Sequence, residues 1–191
     1  REQSERLMEF TESYRRLSYM PEPKKKRFSL TDSLHNLGLL LQSDFENAHI
    51  HFILRSTPSD IYIEGDEKQL SQVFLNLLKN SMQSLEGKTD GQIEVTLEVT
   101  DKLYIKLLDN GQGIPMELQE KIFVPFFTTK TEGTGIGLSL CRQIIKRHGG
   151  NLYLQESGQG RTLFVIEWPI VPFIRNNRAH HRITLINTDY S

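Results

Sequence analysis

The chain has 191 residues, 37% of them hydrophobic, and a formal net charge of −1, enough apolar material for one core and too little positive charge for a dedicated nucleic-acid surface. No apolar run approaches the roughly 20 residues that cross a bilayer and no signal peptide is visible, so the chain reads as a cytoplasmic piece. It starts at Arg1 without a methionine, which reads as a fragment whose missing part leaves room for a membrane anchor, and its single cysteine, Cys141, excludes an internal disulfide.

In chain order, residues 1–20 carry Leu7, Phe10, Tyr14 and Leu17 at three- and four-residue spacing, the seam of a bundle or coiled-coil helix. Pro21 and Pro23 end it, and residues 21–29, with Lys24, Lys25, Lys26 and Arg27, read as a charged linker. A second helix is predicted over 30–42, capped by Thr31 or Asp32, followed by strands at 49–54 and 61–64. Residues 66–86 form the strongest helical pattern. Leu70, Val73, Phe74, Leu77, Leu78, Met82 and Leu85 make one apolar face, Asp66 and Gln69 have capping-box spacing, and Gly87 is the stop.

Strict alternation over 93–99 and the apolar run 103–108 predict two strands, the second ending at Asp109. A helix over 135–148 shows a wide apolar arc through Ile136, Leu140, Cys141, Ile144 and Ile145, and Gly149-Gly150 stops it. Two more strands, 151–155 and 162–168, flank a Ser157-Gly-Gln-Gly turn. The expected architecture is α+β, a two-layer α/β sandwich with a mixed sheet and helices on one face. Residues 30–169 form that domain, and 170–191 a basic extension in which 183–186 reads as an added strand.

Two glycine-bearing loops carry the chemistry. Asp109-Asn-Gly-Gln-Gly-Ile-Pro115 joins a carboxylate to close-spaced glycines, and Gly133-Thr-Gly-Ile-Gly-Leu138 opens onto a helix. Glycines let a backbone approach a flat base or a polyphosphate, although they also serve ordinary turns. Asn76 and Asn80, four residues apart, sit on one stripe of the 66–86 helix beside its apolar face. There they either aim two amide oxygens into a cleft, where Mg²⁺ and phosphates suit them, or stand as a pair of surface asparagines.

Taken together, these motifs resemble the ATP-binding catalytic domain of sensor histidine kinases, in the superfamily shared with DNA gyrase, MutL and heat-shock chaperone ATPases. Gln72–Asn80 looks like the N box, Asp109–Pro115 like the first glycine box, Phe123–Lys130 like the F box and Gly133–Leu138 like the second glycine box. Pro-Phe-Phe-Thr-Thr-Lys within the F box is similar to the nitrogen-regulation type.

The resemblance implies ATP and Mg²⁺ as cofactors. It implies that Asp109 accepts a hydrogen bond from the adenine amine, with Gly111 and Gly113 allowing the backbone to pack on the base, and that Thr162 reaches adenine through water. Asn80 becomes the metal ligand, with Asn76 supporting the phosphate side. Thr129 and Lys130 belong to a lid spanning 128–134 that meets phosphate oxygens. Gly133, Gly135, Gly137 and Leu138 bring backbone N–H groups to the phosphates at a helix start. The implied partners are a dimerisation and phosphotransfer domain of the same protein, whose last helix is residues 1–20, and a response regulator receiver domain. The full-length protein is expected to be a homodimer.

One departure matters. The family's phosphoacceptor histidine precedes an acidic residue, whereas none of His35, His49, His51, His148, His180 and His181 does. The acceptor is therefore expected outside these residues. Adjacent His180 and His181 lack a third ligand for a metal site. Two rival readings are a serine kinase of the anti-sigma-factor type and a non-catalytic ATP-sensing module. A gyrase-like hydrolase fits less well, because Asn76 stands where that branch places its general-base glutamate.

Overall fold

The computed structural model describes residues 11, 15, 19–130, 133–158 and 160–169, together with the backbone of 173–174 and 182–185. Strand β1 (Lys26–Ser29) leads into helices α1 (Leu30–Leu40) and α2 (Gln42–Asn47), then strands β2 (Ile50–Thr57) and β3 (Ile61–Gly65). Helix α3 (Glu67–Ser84) is followed by β4 (Gly91–Val99), β5 (Leu103–Asp109) and the short α4 (Met116–Gln119). Helix α5 (Gly137–Arg147) and strands β6 (Asn151–Gly158), β7 (Arg161–Trp168), β8 (Phe173–Ile174) and β9 (Arg182–Leu185) complete the order.

The main sheet has the order β6-β7-β5-β4-β2-β9, antiparallel at every pairing except the parallel β2–β4 contact. Alternation decides its faces. Ile93, Val95 and Leu97 of β4 and Leu103, Ile105 and Leu107 of β5 are buried. Between them, Glu94 pairs with Arg55 at 2.9 Å and Glu98 with Lys106 on the opposite, charged face. One face is covered and one is ionic, the usual economy of an antiparallel sheet. Leu34, Phe74, Leu77 and Leu78 from the helices meet Val95, Ile105, Leu107, Phe164 and Ile166 from the sheet. At about 1.5–3 kcal/mol for each fully buried aliphatic or Phe side chain, this layer dominates the stability of the fold.

Helix α3 starts where its sequence says it should. Asp66 accepts from the N–H groups of Lys68 and Gln69 at 3.1 and 3.2 Å, satisfying two donors that the helix itself leaves free. Helix α1 is capped one turn earlier than expected, by Ser29, whose Oγ accepts from Asp32 N at 3.1 Å. Thr31, the expected cap, is buried instead and accepts from Ile61 N at 3.1 Å, tying α1 to β3. The helix also breaks at Leu41 rather than running to 42, and the turn lets Leu41 and Phe45 both point inward. Phe45 then stacks on Phe52 with ring centroids 5.0 Å apart.

A second sheet was not legible in the sequence. Residues 26–29, read as linker, form β1 and pair antiparallel with β3, which β8 flanks on its other side. Residues 20–24 are held down as well: Lys24 N donates to Asp66 Oδ2 at 2.9 Å, Gln69 Nε2 to the Pro21 carbonyl at 3.1 Å, and Arg147 Nη1 to the Met20 carbonyl at 2.7 Å. Buried His148 completes this corner, its Nε2 accepting from Asp66 N at 3.0 Å and its Nδ1 facing the Ile144 carbonyl at 2.8 Å. That pattern selects the neutral ring with the proton on Nδ1, and burial pushes its pKa down accordingly. Thr11 and Arg15 are helical, while Leu7, Phe10, Tyr14 and Leu17 lie outside the described residues. Arg175, Arg178, His180 and His181 also lie outside them. Strand β9 begins one residue before the expected extra strand.

Candidate nucleotide site

Asp109 ends β5 with its side chain on the helix-covered face and only 2% exposed. Its Oδ2 accepts from Ser81 Oγ at 2.9 Å, and its Oδ1 from Ser84 Oγ at 2.9 Å and Gly111 N at 3.0 Å. Burial pushes its pKa up, and these donors together with Thr162 pull it back down. Thr162 is buried directly across the β5–β7 pairing from Asp109, its hydroxyl 3.5 Å from Ser157 Oγ. A carboxylate in this setting can only accept hydrogen bonds.

The loop after Asp109 is fastened on two sides. Gln112 N donates to the Ser84 carbonyl at 3.2 Å, and Ile114 N to Ser157 Oγ at 2.7 Å. Asn110 turns the other way, its amide bonding Gln92 N and the Asp90 carbonyl at 2.7 and 2.8 Å and so closing the end of β4. Gly113 has φ +80°, and a Cβ there would lie 2.0 Å from the Gly158 carbonyl oxygen. No side chain fits between these two backbones, so the glycine serves a contact of the loop with β6.

The other loop is built against α3 and the F-box segment. Gly135, at φ +67°, would bring a Cβ within 2.8 Å of the Phe126 backbone, and Gly137 within 2.7 Å of the Asn76 amide. Asn76 therefore lies beneath the first turn of α5, where its Nδ2 donates to Cys141 Sγ at 3.1 Å. Helix α5 starts at Gly137 with no side chain capping it, so its first-turn N–H groups keep their capacity for an anion. Leu138, in that turn, is half-buried against the core. Gly133 sits over Thr128, 2.4 Å from its Oγ1 to a notional Cβ; Thr129 is exposed, and Thr131 and Glu132 lie outside the described residues.

Asn80 is half-buried on α3, and its Oδ1 accepts from Lys130 Nζ at 3.0 Å; the same ammonium contacts Gln83 Oε1. Burial pushes the Lys130 pKa down. The structure thus brings Lys130 to Asn80 on α3, and gathers Asp109, Gly111 and Thr162 around the end of the same helix, with Gly113 further along the loop. Among the described residues, no group of three His, Cys, Asp or Glu side chains is arranged to hold a metal. A hard cation would have to take the neutral oxygen of Asn80 and complete its shell with phosphate and water, a donor set that suits Mg²⁺. The glycines of the two loops pack against protein: Gly111 on Ser84, Gly113 on Gly158, Gly135 on Phe126 and Gly137 on Asn76. The sequence motifs do not mark Ser81, Ser84 and Ser157; small hydroxyls in a helix and a turn carry no signal until the fold aims the first two at Asp109 and the third at Ile114 N and Thr162.

Comparison with known proteins agrees with this geometry. The family model described as histidine kinase-, DNA gyrase B-, and HSP90-like ATPase matches residues 65–172. Sporulation kinase A of Bacillus subtilis (strain 168) is 35% identical over 146 residues, 76% of this chain and 24% of that protein. The sensory histidine kinase/phosphatase NtrB of Rhodobacter capsulatus is 30% identical over 183 residues, 90% of this chain and 51% of that one. The chain thus spans about half or less of these curated relatives. The solved catalytic domain of histidine kinase ThkA is 34% identical with a TM-score of 0.69, over 76% of this chain and 95% of that structure. With motifs, fold and relatives in agreement, the chain belongs to the histidine kinase-, DNA gyrase B- and HSP90-like ATPases, and within them to the histidine-kinase type of catalytic domain.

Proposed function

We propose that this domain binds ATP with Mg²⁺ and transfers the γ-phosphoryl group to a histidine on a dimerisation and phosphotransfer domain of the same protein, for relay to a response regulator receiver domain. The observation that carries the reading is the buried Asp109, held by donors from the glycine loop and from α3, the same helix that presents Asn80 to Lys130, together with the uncapped start of α5. Asp109 takes the amine of adenine, and Gly113 lets the base lie against backbone. Lys130 and the first turn of α5 meet the phosphates, and Asn80 holds the metal. Mg²⁺, when bound, neutralises charge on the phosphate oxygens; the protein's own part is positioning. Residues 1–20 belong to the partner domain, and the assembled protein is a homodimer.

The experiment supplies γ-labelled ATP and Mg²⁺ together with a separate dimerisation domain carrying its histidine. Acid-labile, base-stable label on that domain is the expected result. Nucleotide binding without any transfer would leave an ATP-sensing module, and label stable to acid would indicate a serine kinase instead.

A further inference from the structure

Two hydroxyls converge on the carboxylate that reads the base. Ser81 and Ser84, three residues apart on α3, share the helix face that meets the end of β5. Their Oγ atoms stand 2.9 Å from Asp109 Oδ2 and 2.9 Å from Oδ1, one serine for each oxygen. The loop that follows Asp109 is shut down on this pair: a Cβ on Gly111 would lie 2.1 Å from Ser84 Oγ. Ser84 Oγ also lies 2.8 Å from the Ser81 carbonyl, so its single proton either bonds back to the helix or goes to Asp109.

We infer that Ser81 and Ser84 are positioning residues for base selection, holding the Asp109 carboxylate ionised and aimed so that the site prefers a 6-amino purine over a 6-oxo purine. The inference rests on the reading of Asp109 as the adenine acceptor. Its logic is one of proton inventory. Burial favours the protonated carboxyl, and the main groups opposing it are hydrogen-bond donors: Ser81 and Ser84 from α3, the Gly111 N–H from the loop after β5, and Thr162 from β7, while the charged Glu94 and Arg161 line a pocket that Asp109 also borders. None of the donors carries a charge. If Asp109 takes a proton from solvent, its O–H becomes a donor. It then offers a donor to the carbonyl of a 6-oxo purine, which the ionised form repels, and keeps only its other oxygen as an acceptor for a 6-amino group.

The test measures binding of ATP, inosine triphosphate and the triphosphate of the 6-unsubstituted purine riboside by calorimetry, from about pH 5 to 9. It compares the chain with its Ser81→Ala/Ser84→Ala and Asp109→Asn variants. The parent prefers ATP at neutral pH and loses that preference on acidification. In the double variant the ratio of ATP to inosine triphosphate affinity falls roughly tenfold at neutral pH. The pH at which the preference disappears moves upward. A merely structural role would lower all three ligands together and leave the ratio and its pH midpoint in place; that result overturns the inference. Ser81→Ala and Ser84→Ala singly shift the midpoint in the same direction by less, and they keep the test available if the double variant does not fold. If the parent binds all three ligands alike and Asp109→Asn changes nothing, it is the reading of Asp109 itself that fails.

Discussion

At one end of the proposed site, Asp109 is 2% exposed and both of its oxygens are held by donors from α3 and its own loop. At the other end, Lys130 is exposed and reaches Asn80 and Gln83 with the tip of a long side chain. The first end is set by backbone and short side chains packed in the core, so the cost of ordering it is met during folding. The second depends on a four-carbon stem whose rotamers must be chosen when phosphate arrives. On the proposed reading, a domain built this way would recognise the base with a preformed site and assemble its phosphate contacts around the ligand.

The largest effect is expected from Gly113→Ala. A methyl 2.0 Å from the Gly158 carbonyl, at φ +80°, cannot be accommodated without moving β6 or the loop. Thermal denaturation should show a loss of about 3 kcal/mol together with loss of nucleotide binding, and an unchanged melting temperature would contradict the picture of a rigid base end. Asn80→Ala comes next. Mg²⁺-dependent phosphotransfer should fall by about a hundredfold while the affinity for adenosine stays at the parent value. A loss of adenosine binding would show that the two ends are not separable.

Asp109→Asn should weaken ATP, ADP and adenosine alike, by about 2 kcal/mol each in calorimetry. Its stability effect runs the other way. The folded-state pKa of Asp109 is raised, so its charge costs stability in full above that pKa, and the cost is relieved as pH falls through it toward the unfolded value. The nucleotide-free variant should therefore melt at or above the parent temperature at neutral pH, and a large decrease would mean that the carboxylate is structural. Lys130→Ala is the smallest change. Its exposed contacts predict a stability difference below about 1 kcal/mol, with weaker binding of ATP and no change for adenosine. An effect on adenosine would again dissolve the distinction.

The legible parts of this molecule were those whose signal is periodic or stereochemical. The apolar stripe of α3, the alternation in β4 and the glycines around Asp109 each leave a mark in the sequence, because a helix face, a pleat and a close backbone approach constrain residue type directly. What escaped were contacts between segments far apart in sequence. Ser29 displaced Thr31 as the cap of α1 because Thr31 was taken by β3. Residues 26–29 became a strand because Gly65 to Tyr62 offered an edge, although four charges in 24–27 read as a solvated linker. Asn76, expected to support the phosphate side, has its amide against Gly137 and Cys141 at the start of α5, a contact that spacing along the chain could not show.

By itself, then, the sequence determined the class of fold and the order of the main elements, and marked the loops and polar groups proposed to read a base or hold a phosphate, since these follow from local periodicity and side-chain chemistry. Only the tertiary structure decided how those groups are tuned. The hydroxyls of Ser81 and Ser84 meet Asp109 because α3 and β5 are brought together by the core between them, and neither residue is distinctive until that happens. A carboxylate's charge state is set by what surrounds it in three dimensions, and no local pattern along the chain encodes that.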